Sequence, residues 1–317
     1  LAACDVTLIA SGTATLDNSG TGRLAFTNTG AWVVNASAAA TLTLQGPGDS
    51  SLAASLPNGA GAGVLSLTKA GSGTWALEGT STYTGIVTVS AGTLSVSAVA
   101  DGGVASALGQ SSNAATNLVL ATNSKFKYTG GTGSTDRLFS IQGNATLDAS
   151  GLGPLTFSNA LSLVSTAGNN STLTLTGTGE ATFTPLIPNN GANLLNVTKT
   201  GVGTWTLAGA NTYTGVTNIS AGVLAATTLA NGGVASGIGK ASTSSGNLVL
   251  DGGTLRYTGD TVSTDRFFTI STNGATLDMS GTGGVTWAGN GGTTAVTLAS
   301  SSGTYSLTLT GSGVNEF

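Results

Sequence analysis

The chain has 317 residues, of which 50 are Gly and only 7% are charged, and it contains no His. No apolar run approaches the roughly 18 residues that cross a bilayer as a helix, and a net charge of −4 leaves no basic patch for nucleic acid or an anionic membrane surface. One cysteine rules out an intramolecular disulfide, and the hydrophobic residues, 39% of the chain, are scattered in short alternating runs that mark half-buried strands.

In chain order, Leu1-Ala2-Ala3-Cys4 fits the short lipoprotein-processing pattern, in which a lipidated Cys becomes the first mature residue. The charged and apolar segments that precede such a Cys are missing, so the preferred reading is an ordinary strand-edge cysteine. Asp5-Val-Thr-Leu-Ile-Ala10 is in phase with Asp136–Ile141, and Ala14-Thr-Leu-Asp17 matches Ala145–Asp148 and Ala275–Asp278. In these three runs Leu16, Leu147 and Leu277 are expected to point inward at one equivalent position, with Asp17, Asp148 and Asp278 outward. Lys69-Ala-Gly-Ser-Gly-Thr-Trp75 returns as Lys199-Thr-Gly-Val-Gly-Thr-Trp205, an offset of 130. Thr82–Gly85 returns as Thr212–Gly215, Gly102–Ser106 as Gly232–Ser236, and Asn117–Leu120 as Asn247–Leu250. Ser134-Thr-Asp-Arg137 reappears at Ser263–Arg266, one residue out of step. The chain thus divides into a partial repeat over 1–68, a full repeat over 69–198 and a nearly full repeat over 199–317, expected to form one continuous solenoid.

Within the repeat, Gly130, Gly151, Gly177 and Gly201 fall 21 to 26 residues apart, with two or three short strand-like runs between them. This is the spacing of an all-β, right-handed parallel β-helix in which each coil makes one turn. The composition has the same cause. Equivalent residues of stacked coils lie about 4.8 Å apart, so columns of like charge repel, while Thr, Ser and Asn hydrogen-bond along a column. Leu, Val and Ala fill the narrow interior, and the five prolines fall at predicted turns or strand margins.

The runs Leu67–Trp75, Ser81-Thr-Tyr-Thr-Gly85 and Ser90-Ala-Gly-Thr-Leu94 resemble the autotransporter passenger repeat, and Asn211–Gly215 with Ser220-Ala-Gly-Val-Leu224 resembles it more closely still. Asn247–Leu250, Tyr257-Thr-Gly259, Ser263–Arg266 and Ala275–Asp278 are similar to sequence beside that repeat in large bacterial surface proteins. Ser81, where Asn is usual, and Val197, where Leu is usual, are small departures. The resemblance implies a right-handed β-helix, a place on or outside a Gram-negative cell, and secretion through an outer-membrane barrel. It carries no catalytic residue set.

Dispersed acids and the absence of His leave no site for glycoside hydrolysis, for an activated Ser or for a transition metal, so neither enzyme activity nor a cofactor is expected. The best charged candidates, Asp136-Arg137 and Asp265-Arg266, read as local Asp–Arg pairs at turns. Trp75, Tyr83, Tyr128, Trp205, Tyr213 and Tyr257 recur in register, which fits either core or corner packing or a row that stacks on sugar rings. Thr172-Leu-Thr-Leu-Thr176 and Thr308-Leu-Thr310 place Thr on one strand face, but the motif returns about once per repeat, too rarely for the flat Thr ladder of an ice face. The leading expectation is a non-catalytic passenger stalk or fibre element that associates with itself end to end. The alternative is an adhesin that binds glycans or other cells through an aromatic or Thr-rich face. An exposed aromatic row would favour the adhesin, and buried aromatics under a uniform Thr/Ser/Asn surface would favour the stalk.

Overall fold

The alternation in Leu65-Ser66-Leu67-Thr68-Lys69 becomes a strand whose first, third and fifth residues are buried and whose second and fourth are half-buried. A period of two of this kind runs through most strands of the computed structural model, which describes residues 7–8, 12–289, 296–300, 302–313 and 315–317. Cys4 and Asp5 lie outside the described residues. The chain forms two compact units, residues 1–159 and 160–317.

In the first unit one parallel sheet is built from Gly12–Asp17, Ala40–Gln45, Leu65–Lys69, Val87–Val89, Leu118–Leu120 and Ser140–Ile141, each paired with the next. A second contains Leu24–Phe26, Ser50–Leu52, Thr74–Leu77, Thr93–Val96, Ser124–Tyr128 and Ala145–Ala149, again in that order. A third side holds the pairs Thr7–Leu8 with Val33–Val34, and Gly133–Thr135 with Leu155–Phe157. The chain visits these sides in turn and pairs each strand with the one a coil earlier, which is a parallel β-solenoid.

The second unit repeats the plan. One sheet runs Ser171–Thr176, Leu195–Lys199, Thr217–Ile219, Leu248–Leu250, Phe268–Ile270 and Val296–Leu298. Another runs Glu180–Phe183, Thr204–Leu207, Val223–Ala226, Thr254–Tyr257, Ala275–Asp278 and Leu307–Thr310. Val262–Thr264, Val285–Trp287 and Asn315–Glu316 form the third. Among the described residues the only helices are two short 3-10 turns, Ala115–Asn117 and Ser245–Asn247.

Inside, inward residues stack in columns. Trp75 pairs with Leu94, Leu94 with Phe126, and Phe126 with Leu147. In the other unit Trp205, Leu224, Leu255 and Leu277 do the same. Corners are Gly-x-Gly turns packed backbone to backbone. Gly73 N donates to Gly46 O at 3.0 Å, and Gly203 N to Gly177 O at 3.0 Å. Gly71 has φ +70°, and a Cβ there would sit 2.6 Å from Gly46 N, so both conformation and space demand glycine.

Leu147 and Leu277 are buried as expected, but Leu16 is only half-buried, and the three leucines, each on a strand of a different sheet, do not share one position. Within the first unit Leu16 lies in the first sheet and Leu147 in the second. The pairings from Gly12–Asp17 to Ser140–Ile141 complete whole turns, and Ala145 already stands on the following side. Asp17 is exposed, whereas Asp148 and Asp278 are covered rather than open to solvent. Lys125 Nζ lies 3.7 Å from Asp148 and Arg256 Nε 2.7 Å from Asp278. Burial raises the Asp278 pKa, but hydrogen bonds from Ser280 and Arg256 outweigh it and hold the carboxyl below its ordinary value.

Candidate binding surface

The six recurring aromatics are core residues. Trp75, Tyr83, Trp205 and Tyr213 are 0% exposed, Tyr128 2% and Tyr257 3%. The side chains sit inside because they occupy the inward phase of their strands or the corner just beyond. Trp75 Nε1 donates to Gln45 O at 3.0 Å and Trp205 Nε1 to Thr176 O at 2.8 Å. Tyr128 and Tyr257 donate their hydroxyls to Gly131 O at 2.8 Å and Asp260 O at 2.7 Å. Burial pushes all four tyrosine hydroxyls above their ordinary pKa. A ring enclosed in this way presents no face to a sugar.

The Asp–Arg dipeptides do not pair internally; each pins a loop of the preceding coil. Arg137 is 3% exposed, and its guanidinium donates to Ala100 O at 3.2 Å, Gly109 O at 3.0 Å, Val104 O at 3.3 Å and Ser111 Oγ at 2.7 Å. Asp136 accepts from Gly102 N and Asn113 Nδ2, both at 2.7 Å. Arg266 donates to Ala230 O, Val234 O and Gly239 O at 2.9, 3.1 and 2.9 Å, while Asp265 accepts from Gly232 N at 2.7 Å. Each Arg therefore reaches carbonyls at both ends of a Gly-Gly-Val-Ala-Ser loop whose valine, Val104 or Val234, is about half exposed.

A second pair of buried cations closes the Gly-x-Gly corners. Lys69 occupies the inward phase of its strand and is 0% exposed; Nζ donates to Ala70 O, Gly71 O and Ala91 O at 2.6, 2.8 and 3.1 Å. Lys199 does the same with Thr200 O, Gly201 O and Ala221 O at 2.6, 2.7 and 3.1 Å. Burial lowers both pKa values to about 8, and three carbonyl dipoles per ammonium keep the groups charged at neutral pH.

With these six aromatics, Arg137, Arg266, Lys69 and Lys199 turned inward, what faces outward on the first sheet is a lattice of hydroxyls. Thr15, Thr43, Thr68 and Thr88 lie in register on successive strands, beside Thr13, Thr41 and Ser66. Ser66 Oγ accepts from Ile86 N at 3.3 Å, but the hydroxyls of the six threonines have no hydrogen-bond partner among the described residues. The other unit presents a related array, with Thr172 beside Asn196 and Thr174 in line with Thr198 and Asn218. The ladder expected to be too sparse is thus continuous over four coils in the first unit. Among the described residues no group of three or more His, Cys, Asp or Glu side chains is placed to hold a metal ion.

The passenger-associated-transport-repeat family model matches residues 67–96 and 197–226, the two stretches that contain Lys69 and Lys199 with their corners. The Adhesin BmaC autotransporter of Brucella suis biovar 1 (strain 1330) is 37% identical over 246 residues, which cover 72% of this chain and 6% of that protein. The chain therefore spans only a small part of the length of this relative. No solved structure matches it.

Proposed function

We propose that this chain, which belongs to the autotransporter passenger-repeat proteins, is a non-catalytic adhesive segment of a passenger displayed on or released from a Gram-negative cell. The observation that carries the reading is the 37% identity to an autotransporter adhesin across 72% of the chain. The fold supports it physically. Stacked coils give a surface whose side chains are held in register by backbone pairing, so contacts repeat without further ordering cost. A barrel that translocates the passenger is the partner this reading implies, and end-to-end association of coils through their open strand edges belongs to the same proposal.

A passive stalk is the second reading, and the burial of Trp75, Tyr83, Tyr128, Trp205, Tyr213 and Tyr257 is what favours it. Beads coated with the chain separate the two. Adhesion to cultured cells well above beads carrying an unrelated solenoid is the expected result, and adhesion equal to that control would leave the stalk. Sedimentation of the free chain reads self-association independently.

A further inference from the structure

Resting on the adhesive reading, we infer that the surface that makes contact is the outward hydroxyl lattice of the first sheet, and that its ligand is a neutral polysaccharide. Four in-register threonines, Thr15, Thr43, Thr68 and Thr88, form its central column, and Thr13, Thr41 and Ser66 the neighbouring one. Hydroxyls recur roughly every 4.8 Å across strands and about 6.7 Å along them.

The chemistry of this face selects the ligand. No charged side chain stands in either column, and the nearest acid, Asp17, is already bonded to Ser19 and Gln45. Anionic glycans, nucleic acid and acidic lipid headgroups need Arg or Lys, and of the nine in this chain Lys69, Arg137, Lys199 and Arg266 are buried against backbone carbonyls. A protein partner is anchored by large aromatic or Arg side chains in pockets, which this face lacks. What it does offer is six hydroxyls without internal partners, each able to donate and accept, each beside a methyl group. An extended neutral polysaccharide has matching chemistry: uncharged hydroxyls that both donate and accept, alternating with C–H surface, repeated along a chain. Single contacts of this kind are weak, but a repeated ligand on a repeated lattice binds many at once.

The test uses the intact chain on immobilised amylose, cellulose and mannan, with heparin and polygalacturonate as anionic counterparts and protease-treated cells beside untreated ones. Thr→Val at 15, 43, 68 and 88 together removes four hydroxyls and keeps β-branched shape, so its melting temperature stays within a few degrees. We expect wild type to bind at least one neutral polymer, the valine variant to lose tenfold or more, and Thr→Ser at the same positions to retain binding. Equal binding by the valine variant overturns the inference. Binding only to heparin, or adhesion to cells that vanishes on protease treatment, overturns it while leaving adhesion standing. Absence of adhesion to any cell removes both.

Discussion

Tyr83 and Tyr213 occupy the same place in two copies of one motif, and each is fully enclosed, yet only one has a partner for its hydroxyl. Tyr213 Oη lies 2.7 Å from Thr217 Oγ1, whereas position 87, the counterpart of Thr217, is valine, and the Tyr83 hydroxyl is left without a hydrogen bond. The loop clamps differ in the opposite sense. Arg137 reaches Ser111 Oγ, but position 241 is alanine, so Arg266 makes its bonds to carbonyls alone. The backbone plan is held by inward shape and corner glycines, while the polar satisfaction of each copy is adjusted one residue at a time. A solenoid tolerates this because each coil answers mainly to its neighbours.

The sharpest break comes from Leu147→Asp, which places an unpaired charge in the Phe126–Leu147 column. It is expected to cost at least about 3 kcal/mol in urea melts, while Leu16→Asp, at a half-buried site, costs a fraction of that. Next are the clamps. Arg137→Met and Arg266→Met each strand several loop carbonyls, at roughly 2–3 kcal/mol, with Arg137 costing more by about one hydrogen bond to Ser111. Protease sensitivity of loops 101–113 and 231–243 should rise in step. Smaller again is the tyrosine contrast: Tyr213→Phe loses about 1 kcal/mol, whereas Tyr83→Phe is neutral or stabilising. Val87→Thr in the first unit should restore the penalty for Tyr83→Phe, a coupling of about 1 kcal/mol in a double-mutant cycle. If both tyrosines respond alike, the comparison fails.

A separate test lies in pH. Lys69 and Lys199 have folded pKa values lowered from 10.5 to about 8, so between these limits the unfolded chain binds more protons and stability rises with pH. The buried tyrosines act oppositely. Their raised folded values mean the unfolded chain loses protons first, so stability falls as pH climbs past about 10. Stability measured from pH 8 to 9.5 should therefore slope upward, and Lys69→Met with Lys199→Met should flatten it.

Much of the fold was legible because alternation and corner glycines are local signals: Leu65-Ser-Leu-Thr-Lys69 and Gly71-Ser-Gly73 identify a strand and a turn without any partner. Lys69 was legible in principle, since it falls on the same phase as Leu65 and Leu67, but lysine there is usually read as solvent-facing. The threonine lattice was not. Its members sit in runs spelled Thr-Ala-Thr, Thr-Leu-Thr, Ser-Leu-Thr and Ile-Val-Thr, and the steps from Thr15 to Thr43, Thr68 and Thr88 are 28, 25 and 20 residues. No fixed period finds a column whose spacing varies with every loop. The aromatics were ambiguous for another reason: periodicity says which residues share a face, and an inward row recurs as regularly as an outward one.

The buried cations bear on endurance outside a cell. Enzymes that cut after Lys or Arg need several residues of extended, accessible backbone around the bond. Of nine such residues, four are locked inside, Lys125, Lys127 and Arg256 lie within paired strands, and Arg23 directly precedes one with its guanidinium on Ser51. Arg23 and Lys240 are thus the two that stand exposed outside the strands. A digestive protease of trypsin type thus meets a molecule of 317 residues with two inviting bonds, one of them in the very loop that Arg266 fastens down.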